Sequence, residues 1–386
     1  MHAQDNTDHH EVEGNRLSLL VEGPDRLAAL LALIDGARTS LRLLFYIYAE
    51  DDAGTRVRDA LDRAVKRGVA VSLIIDAFGS DADDAFFAAL AADGATVCRF
   101  HPRFGRRYLL RNHQKLALAD EARIIIGGFN IEDDYFGTVA DAAWRDLGLL
   151  VEGPAAARLV GYYDALAEWT LGRRVRSRPL RSALDQWSEP EGKVRWLLGG
   201  PARRLSPWAR GVKRDMKRAK RLDMIAAYFA PNPAMLRRIE GIARRGGKAT
   251  VLTAARSDNN ATIGAARHCY RRLLRRGVRV FEYQPTKLHT KLFVVDDVAH
   301  IGSANFDMRS LYLNLELMLR IEDAVFADRL RRYFAGEQAQ SAEITREGHR
   351  ARSGLLDRIR WGIAYFVVAV VDYGVTRRLN FGIDAE

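Results

Sequence analysis

The chain has 386 residues, 48% of them hydrophobic and 28% charged, with 10 Pro. That composition excludes a mainly disordered, collagen-like or low-complexity protein, and two cysteines, Cys98 and Cys269, exclude a disulfide framework or a Cys-rich zinc site. The 60 Lys and Arg against 49 Asp and Glu leave +11, a balance that favours phosphate-bearing partners, either nucleic acid or an anionic membrane surface.

Residues 1–16 are polar and acidic and read as a flexible tail. They lack the apolar stretch of a secretory signal peptide, so residence in the cytosol is the expectation. Residues 41–48 form an apolar and aromatic run that reads as a buried strand. Helical spacing follows at Val57, Leu61 and Val65 and ends at Gly68, and 69–75 reads as the next strand. Strand, helix, strand predicts a βαβ unit and an α/β domain with parallel strands. The same order returns at 221–229, 233–245 and 248–253. The chain therefore reads as an internal duplication: a first domain over 17–175, a polar linker rich in Arg, Ser and Pro over 176–192, and a second domain over 193–340. A C-terminal amphipathic and aromatic tail occupies 341–386. The longest uncharged apolar run, 361–371, is too short to cross a hydrocarbon core.

Each half closes with a hairpin carrying His and Lys. The first reads His113-Gln114-Lys115, then Asp120, then Gly127-Gly128-Phe129-Asn130; the second reads His289-Thr290-Lys291, then Asp296, then Gly302-Ser303-Ala304-Asn305. Side chains two apart on a strand share a face. Each hairpin thus presents an imidazole, an ammonium and a carboxamide at one end of a sheet. The glycines read as places where the backbone can approach a ligand closely. A single His-x-Lys carries no signal. Two copies 176 residues apart, each with Asp and Gly-x-x-Asn at matching spacing, do.

In these residues the chain resembles the phospholipase D superfamily, over roughly 17–320, and the stretch Asn305-Phe306-Asp307-Met308-Arg309-Ser310 through Glu316 is similar to its bacterial cardiolipin synthase branch. The resemblance implies two duplicated α/β domains packed with pseudo-two-fold symmetry and an active site at their interface, so that no oligomer is required. It implies a phosphatidyltransferase that moves a phosphatidyl group between phospholipids, for example from phosphatidylglycerol to phosphatidylglycerol. The alternative is a hydrolase or nuclease that uses water. By the same resemblance His113 is the nucleophile and His289 the acid and base, with Lys115, Lys291 and the motif aspartates Asp120 and Asp296 counted in the catalytic set.

Asn130, Asn305 and Ser303 would bind the substrate phosphate. Gly128 stands where Ser is commoner, which removes one hydroxyl contact. Fixed cations neutralise the phosphate, so neither a metal nor a cofactor is expected. Asp146, downstream of His113, and Glu316, downstream of His289, are candidates to orient the imidazoles. The turn positions of Asp120 and Asp296 suit a structural role despite their place in the motif. The second motif is one residue short between Asp296 and Gly302, a difference assigned to the hairpin turn.

Two surfaces bear on the partner, for which an anionic phospholipid membrane is favoured over nucleic acid. Residues 203–221 form a basic segment in which Trp208, Val212 and Met216 share a helix face, open either to anionic lipid or to the chain's own domain. A second basic helix spans 267–276. The tail at 355–379 combines Trp361, Tyr365, Phe366 and Tyr373 with Arg358, Arg360, Arg377 and Arg378, and reads as an interfacial contact rather than a docked helix. The expected location is peripheral, on the cytoplasmic side of the cell membrane.

Overall fold

The computed structural model describes residues 9–101, 110–172, 177–202 and 205–371. Arg203 of the basic segment, the first residues of the expected tail and linker, and Tyr373, Arg377 and Arg378 lie outside them.

The motif strands set the architecture. Leu116–Ala119 alternates Leu and Ala, so that Leu116 and Leu118 face one way and Ala117 and Ala119 the other. Both faces are buried, as are all five residues of Lys291–Val295. Strands covered on both sides need such near-continuous apolar runs.

The first sheet has the spatial order His10–Val12, Asn15–Leu20, Gly148–Glu152, Arg123–Gly127, Leu116–Ala119, Ser40–Phe45, Ala70–Asp76, Thr96–Phe100. The second runs Val194–Gly199, Glu316–Glu322, Val298–Gly302, Lys291–Val295, Arg221–Ala226, Lys248–Ala254, Arg279–Tyr283, Ser341–Glu343. Seven strands thus recur in one order. In each sheet only the three strands joined through helices are mutually parallel, and the motif hairpin and its neighbours are antiparallel. The sheets are mixed, a correction to the parallel reading, because a two- or three-residue turn can join only antiparallel neighbours. The residue missing from the second motif is in that turn: Ala119 pairs with Arg123, whereas Val295 pairs with Val298.

Helices Asp52–Lys66 and Pro233–Arg244 return the chain between parallel strands. Asp51 caps the first through the Gly54 N–H, and Asn232 caps the second through the Met235 N–H. One apolar cluster includes Leu44, Leu116 and Ile126 of the first sheet with Ile225, Leu292 and Ile301 of the second. The opposite faces carry separate cores beneath helices.

Several expectations about the ends and joints are corrected. Residues 10–16 are not tail, since His10–Val12 pairs with Asn15–Leu20 at a sheet edge. The linker contains a helix, Ser177–Gln186, that buries Leu180 and Leu184. The tail begins inside the second sheet, where Ser341–Glu343 pairs with Arg279–Tyr283. In the basic segment, helix Pro207–Asp215 turns Trp208 and Val212 into the second core, and Met216, just beyond it, is equally buried. Its apolar face is therefore closed to lipid. Ser206 stands at its N-cap, yet its hydroxyl donates to the Leu311 carbonyl instead.

Trp208 is fully buried and its indole N–H donates to the Ser310 carbonyl. Replacing it with Ala is expected to cost about 3–5 kcal/mol in urea unfolding. A loss below about 0.5 kcal/mol, as for an exposed side chain, would contradict the packing.

Candidate active site

The two histidines are positioned by an exchange between the halves. The His113 N–H donates to the Leu315 carbonyl, and Leu315 donates to the Arg111 carbonyl. Reciprocally, the His289 N–H donates to the Arg145 carbonyl and Arg145 donates to that of Lys287. Each motif is therefore fastened to the segment that precedes the other half's carboxylate. As a result Glu316 lies 3.1 Å from His113 Nδ1, and Asp146 lies 2.7 Å from His289 Nδ1. Chain order placed each carboxylate downstream of its own half's histidine; the fold crosses them. With Nδ1 engaged by a carboxylate, each ring keeps Nε2 for chemistry.

The other motif residues pack around this pair. Lys115 Nζ donates to the His113 carbonyl at 2.7 Å, and Lys291 Nζ to the His289 carbonyl. Both lysines are buried. Asn130 accepts from the Ile47 N–H and Asn305 from the Tyr228 N–H, so each carboxamide oxygen is committed to a loop that follows a strand.

Ser303 departs from its expected role. It is fully buried, donates to Glu316 at 2.5 Å and accepts from the Leu317 N–H. It holds the carboxylate, and its hydroxyl is not free for phosphate. Ser310 donates to the other Glu316 oxygen at 2.7 Å. At the matching place in the first half, a Cβ on Gly128 would meet Asp146 Oδ1 at 2.6 Å, so the shorter carboxylate fills the space of a serine side chain. Gly302, at φ +155°, brings its Cα against the Leu317 carbonyl, where an added Cβ would be 2.1 Å away. That close approach serves the neighbouring strand rather than a ligand.

Asp120 and Asp296 leave the catalytic set. They sit in the hairpin turns, at the far ends of the motif strands. Asp120 accepts from the Arg38, Thr39 and Ser40 N–H groups, and Asp296 from those of Lys220 and Arg221. Both tie the hairpin to the start of the adjacent strand, as turn chemistry suggested.

Sequence reasoning missed the aromatic walls and the buried braces. Tyr46 lies 5.1 Å from the His113 ring, and Tyr135 and Trp144 each lie 5.2 Å from His289. Tyr228, 6.4 Å from His289, comes two residues after its strand, whereas Tyr46 comes directly after the equivalent one. Aligning the two halves places Ile47, not Tyr46, opposite Tyr228, so this pair left no signal in the sequence. Arg26, 1% exposed, donates to the carbonyls of Val21, Tyr135 and Asp146. Asp76 accepts from the Asn112 N–H, just before His113. Neither residue is marked by any local pattern. Among the described residues, no group of three or more His, Cys, Asp or Glu is placed to hold a metal ion.

A family model described as "Cardiolipin synthase, PLD-like domain" matches residues 30–160 and 212–337, the two segments that carry this arrangement. The chain belongs to the phospholipase D superfamily. It is 31% identical over 344 residues to cardiolipin synthase A of Pseudomonas entomophila (strain L48), covering 87% of this chain and 71% of that protein. Over 351 residues it is 28% identical to the cardiolipin synthase of Listeria monocytogenes serotype 4a (strain HCC23), covering 88% and 72%. The crystal structure of phosphatidylserine synthase from Haemophilus influenzae Rd KW20 shares the fold, with a TM-score of 0.70 at 14% identity over 94% of this chain and 95% of that one. As a superfamily member the protein is an enzyme of the phosphodiesterase and transferase kind related to bacterial cardiolipin synthases.

The electrostatics suit an anionic phosphodiester. Burial, reinforced by Lys115, pushes the His113 imidazole down to about 4 against the pull of Glu316. Burial and then Lys291 push His289 down to about 3 against Asp146. Burial lowers Lys291 to about 8 and takes Lys115 well below the ordinary lysine range. Burial alone would raise the Asp146 carboxyl, but His289, Lys291 and Arg26 hold it below the usual carboxylate range. Two neutral imidazoles therefore lie between two buried lysines. A phosphate oxygen arriving there meets donors, and its charge favours protonation of the rings.

Neither imidazole should titrate between about pH 8 and about pH 5.5 in the free protein, so both ring signals should hold still in NMR spectra over that range. A midpoint near 6.5 for either would contradict the burial. The same shifts set a sign for stability: the unfolded chain takes up these protons first, so their contribution falls as pH drops from 6.5 towards about 4 and about 3. Gly128→Ala is expected to displace Asp146 and lower turnover at least about tenfold while leaving the fold intact. Undiminished turnover would show that the carboxylate position does not matter.

Proposed function

We propose that the protein is a phosphatidyltransferase of the cardiolipin synthase type, moving a phosphatidyl group from one phospholipid, such as phosphatidylglycerol, to the alcohol of another. What carries this reading is the pair of imidazoles, each with Nδ1 on a carboxylate of the other half and Nε2 left for reaction. The names of the relatives supply the substrate class.

His113 Nε2 attacks phosphorus, and the bond from phosphorus to the leaving headgroup oxygen breaks. His289, protonated as the anionic substrate enters, gives its Nε2 proton to that alkoxide. The acceptor alcohol then loses its proton to His289 and attacks phosphorus, the N–P bond breaks, and His113 is restored. Lys115, Lys291, Asn130 and Asn305 surround the phosphoryl oxygens in this scheme. Asp146 and Glu316 act through the histidines as positioning residues. The partner is an anionic membrane, and the seat is peripheral on the cytoplasmic side of the cell membrane; the +11 charge supports this, because anionic lipid in that leaflet attracts basic surfaces. Among the described residues no helix is long and apolar enough to cross a membrane.

His113→Ala and His289→Ala should each lower turnover by more than about a thousandfold, because one imidazole cannot serve both roles. A phosphorus-labelled adduct should accumulate on the His289 variant and be absent from the His113 variant. The reverse pattern would exchange the two roles, and normal turnover in either variant would end the mechanism. Product analysis with phosphatidylglycerol should show cardiolipin; phosphatidic acid alone would make the enzyme a hydrolase.

A further inference from the structure

Helix Leu355–Phe366 does two things at once. One face docks on helix Asn260–Arg275: Trp361 is buried, a Cβ on Gly264 would come within 2.9 Å of Ala364 Cβ, and the Tyr365 ring stacks on His268 at 4.8 Å. The tail thus packs on the second domain, as the sequence reading had not favoured. The opposite face points outward with Leu355, Leu356, Ile359, Ile363 and Phe366, which are 51–82% exposed. Of the ten exposed large hydrophobic side chains among the described residues, these five lie on one twelve-residue helix. The concentration is too local to be ordinary surface scatter.

At the N-terminal end of the same helix a cleft of about 280 Å³ is lined by Arg271, Arg275, Arg346, Arg350 and Arg358, together with His349. Arginines nearby are paired: Arg267 with Glu282, Arg272 with Glu240 and Arg279 with Glu343. Among the described residues no carboxylate pairs with any of the five in the cleft. The acidic residues closest in sequence are Glu347, which is exposed, and Asp357, which lies 3.9 Å from Arg360. Five arginines line one cleft with Glu282 near its His349 but no ion pair of their own among the described residues, and a multivalent oxyanion can engage such guanidinium groups through bidentate hydrogen bonds.

We propose that this cleft is a second, non-catalytic phospholipid site. It takes the phosphate of an anionic bilayer lipid, while the outer face of helix Leu355–Phe366 sinks among the acyl chains. A soluble phosphate or a nucleic acid would satisfy the arginines but leave the apolar stripe in water; an anionic bilayer satisfies both. The far end of the helix is tied to the candidate active site. The Tyr365 hydroxyl donates to the Pro231 carbonyl at 2.9 Å, in the loop whose Tyr228 packs on His289. Docking through this helix therefore holds that loop, and the site it borders, beside the bilayer.

The inference rests on the lipid-substrate reading above for the nature of the surface, and the test keeps the two apart. Sedimentation of the full chain is measured with vesicles of phosphatidylcholine alone and of equal parts phosphatidylcholine and phosphatidylglycerol. Binding is expected with the second and poor binding with the first. Arg271→Ala/Arg350→Ala/Arg358→Ala should weaken binding roughly 100-fold, from three charges near the surface. Leu356→Ser/Ile359→Ser/Ile363→Ser should remove the fraction that survives high salt. Both should keep full turnover on a detergent-dispersed donor. The His113→Ala protein should bind vesicles as the parent does, so loss of phosphatidyl transfer would not disturb this readout. Unchanged vesicle binding by either triple variant would overturn the site. So would release of the parent protein from vesicles by millimolar inorganic phosphate, or tight binding of duplex DNA that the arginine variant abolishes.

Discussion

Two hydrogen bonds, Glu316 to His113 and Asp146 to His289, join the halves of the chain at the atoms where chemistry is proposed. Neither histidine can be oriented by its own half alone. The backbone bonds that fasten 111–113 to Leu315 and 287–289 to Arg145 set the distance between the strands and the partner carboxylates. The shared core of the two sheets holds those segments in register. A loss of packing between the sheets would thus be felt first as a loosened imidazole.

The same pairing explains how so much charge is tolerated out of water. Lys115, Lys291, Asp146 and Glu316 are all buried, two of each sign. Isolated, each would carry a desolvation cost of several kcal/mol. Together they form a formally neutral set whose members are hydrogen-bonded to main chain, hydroxyl or imidazole. Burial still weakens the protonated forms of both lysines and both histidines, so a negative guest would be met by groups that gain from its charge. The two halves reach this balance differently. Glu316 is held by two serine hydroxyls, whereas Asp146, one methylene shorter, occupies the room left by Gly128 and accepts from its own neighbour, Leu147.

Charge at the surface is organised separately. Basic residues are spread along the second half, and near the C-terminal helices Arg267, Arg272 and Arg279 are matched by carboxylates. The five arginines of the cleft are not, and they lie beside helix Leu355–Phe366, whose outer face is apolar. Helix Pro207–Asp215 has a similar basic composition, and its apolar side is consumed by the core. Composition made these two segments look alike; what each packs against separates them.

The sequence by itself determined a great deal here. The strand and helix order, the duplication, the motif pairs and the turn that absorbs the missing residue are all written in local patterns of period 2 and 3.6, in turn chemistry and in spacing. Such patterns act over a few residues, so one chain read once displays them. Which carboxylate orients which histidine was not legible, because Glu316 is 203 residues from His113 and only folding makes them neighbours. Ser303 becoming a carboxylate brace, Arg26 tying three carbonyls together, and the apolar faces of helices Pro207–Asp215 and Leu355–Phe366 meeting opposite fates were equally hidden. Each depends on what lies across a gap of a few ångströms from a distant part of the chain, and short-range bonding and packing are decided there, by tertiary structure alone.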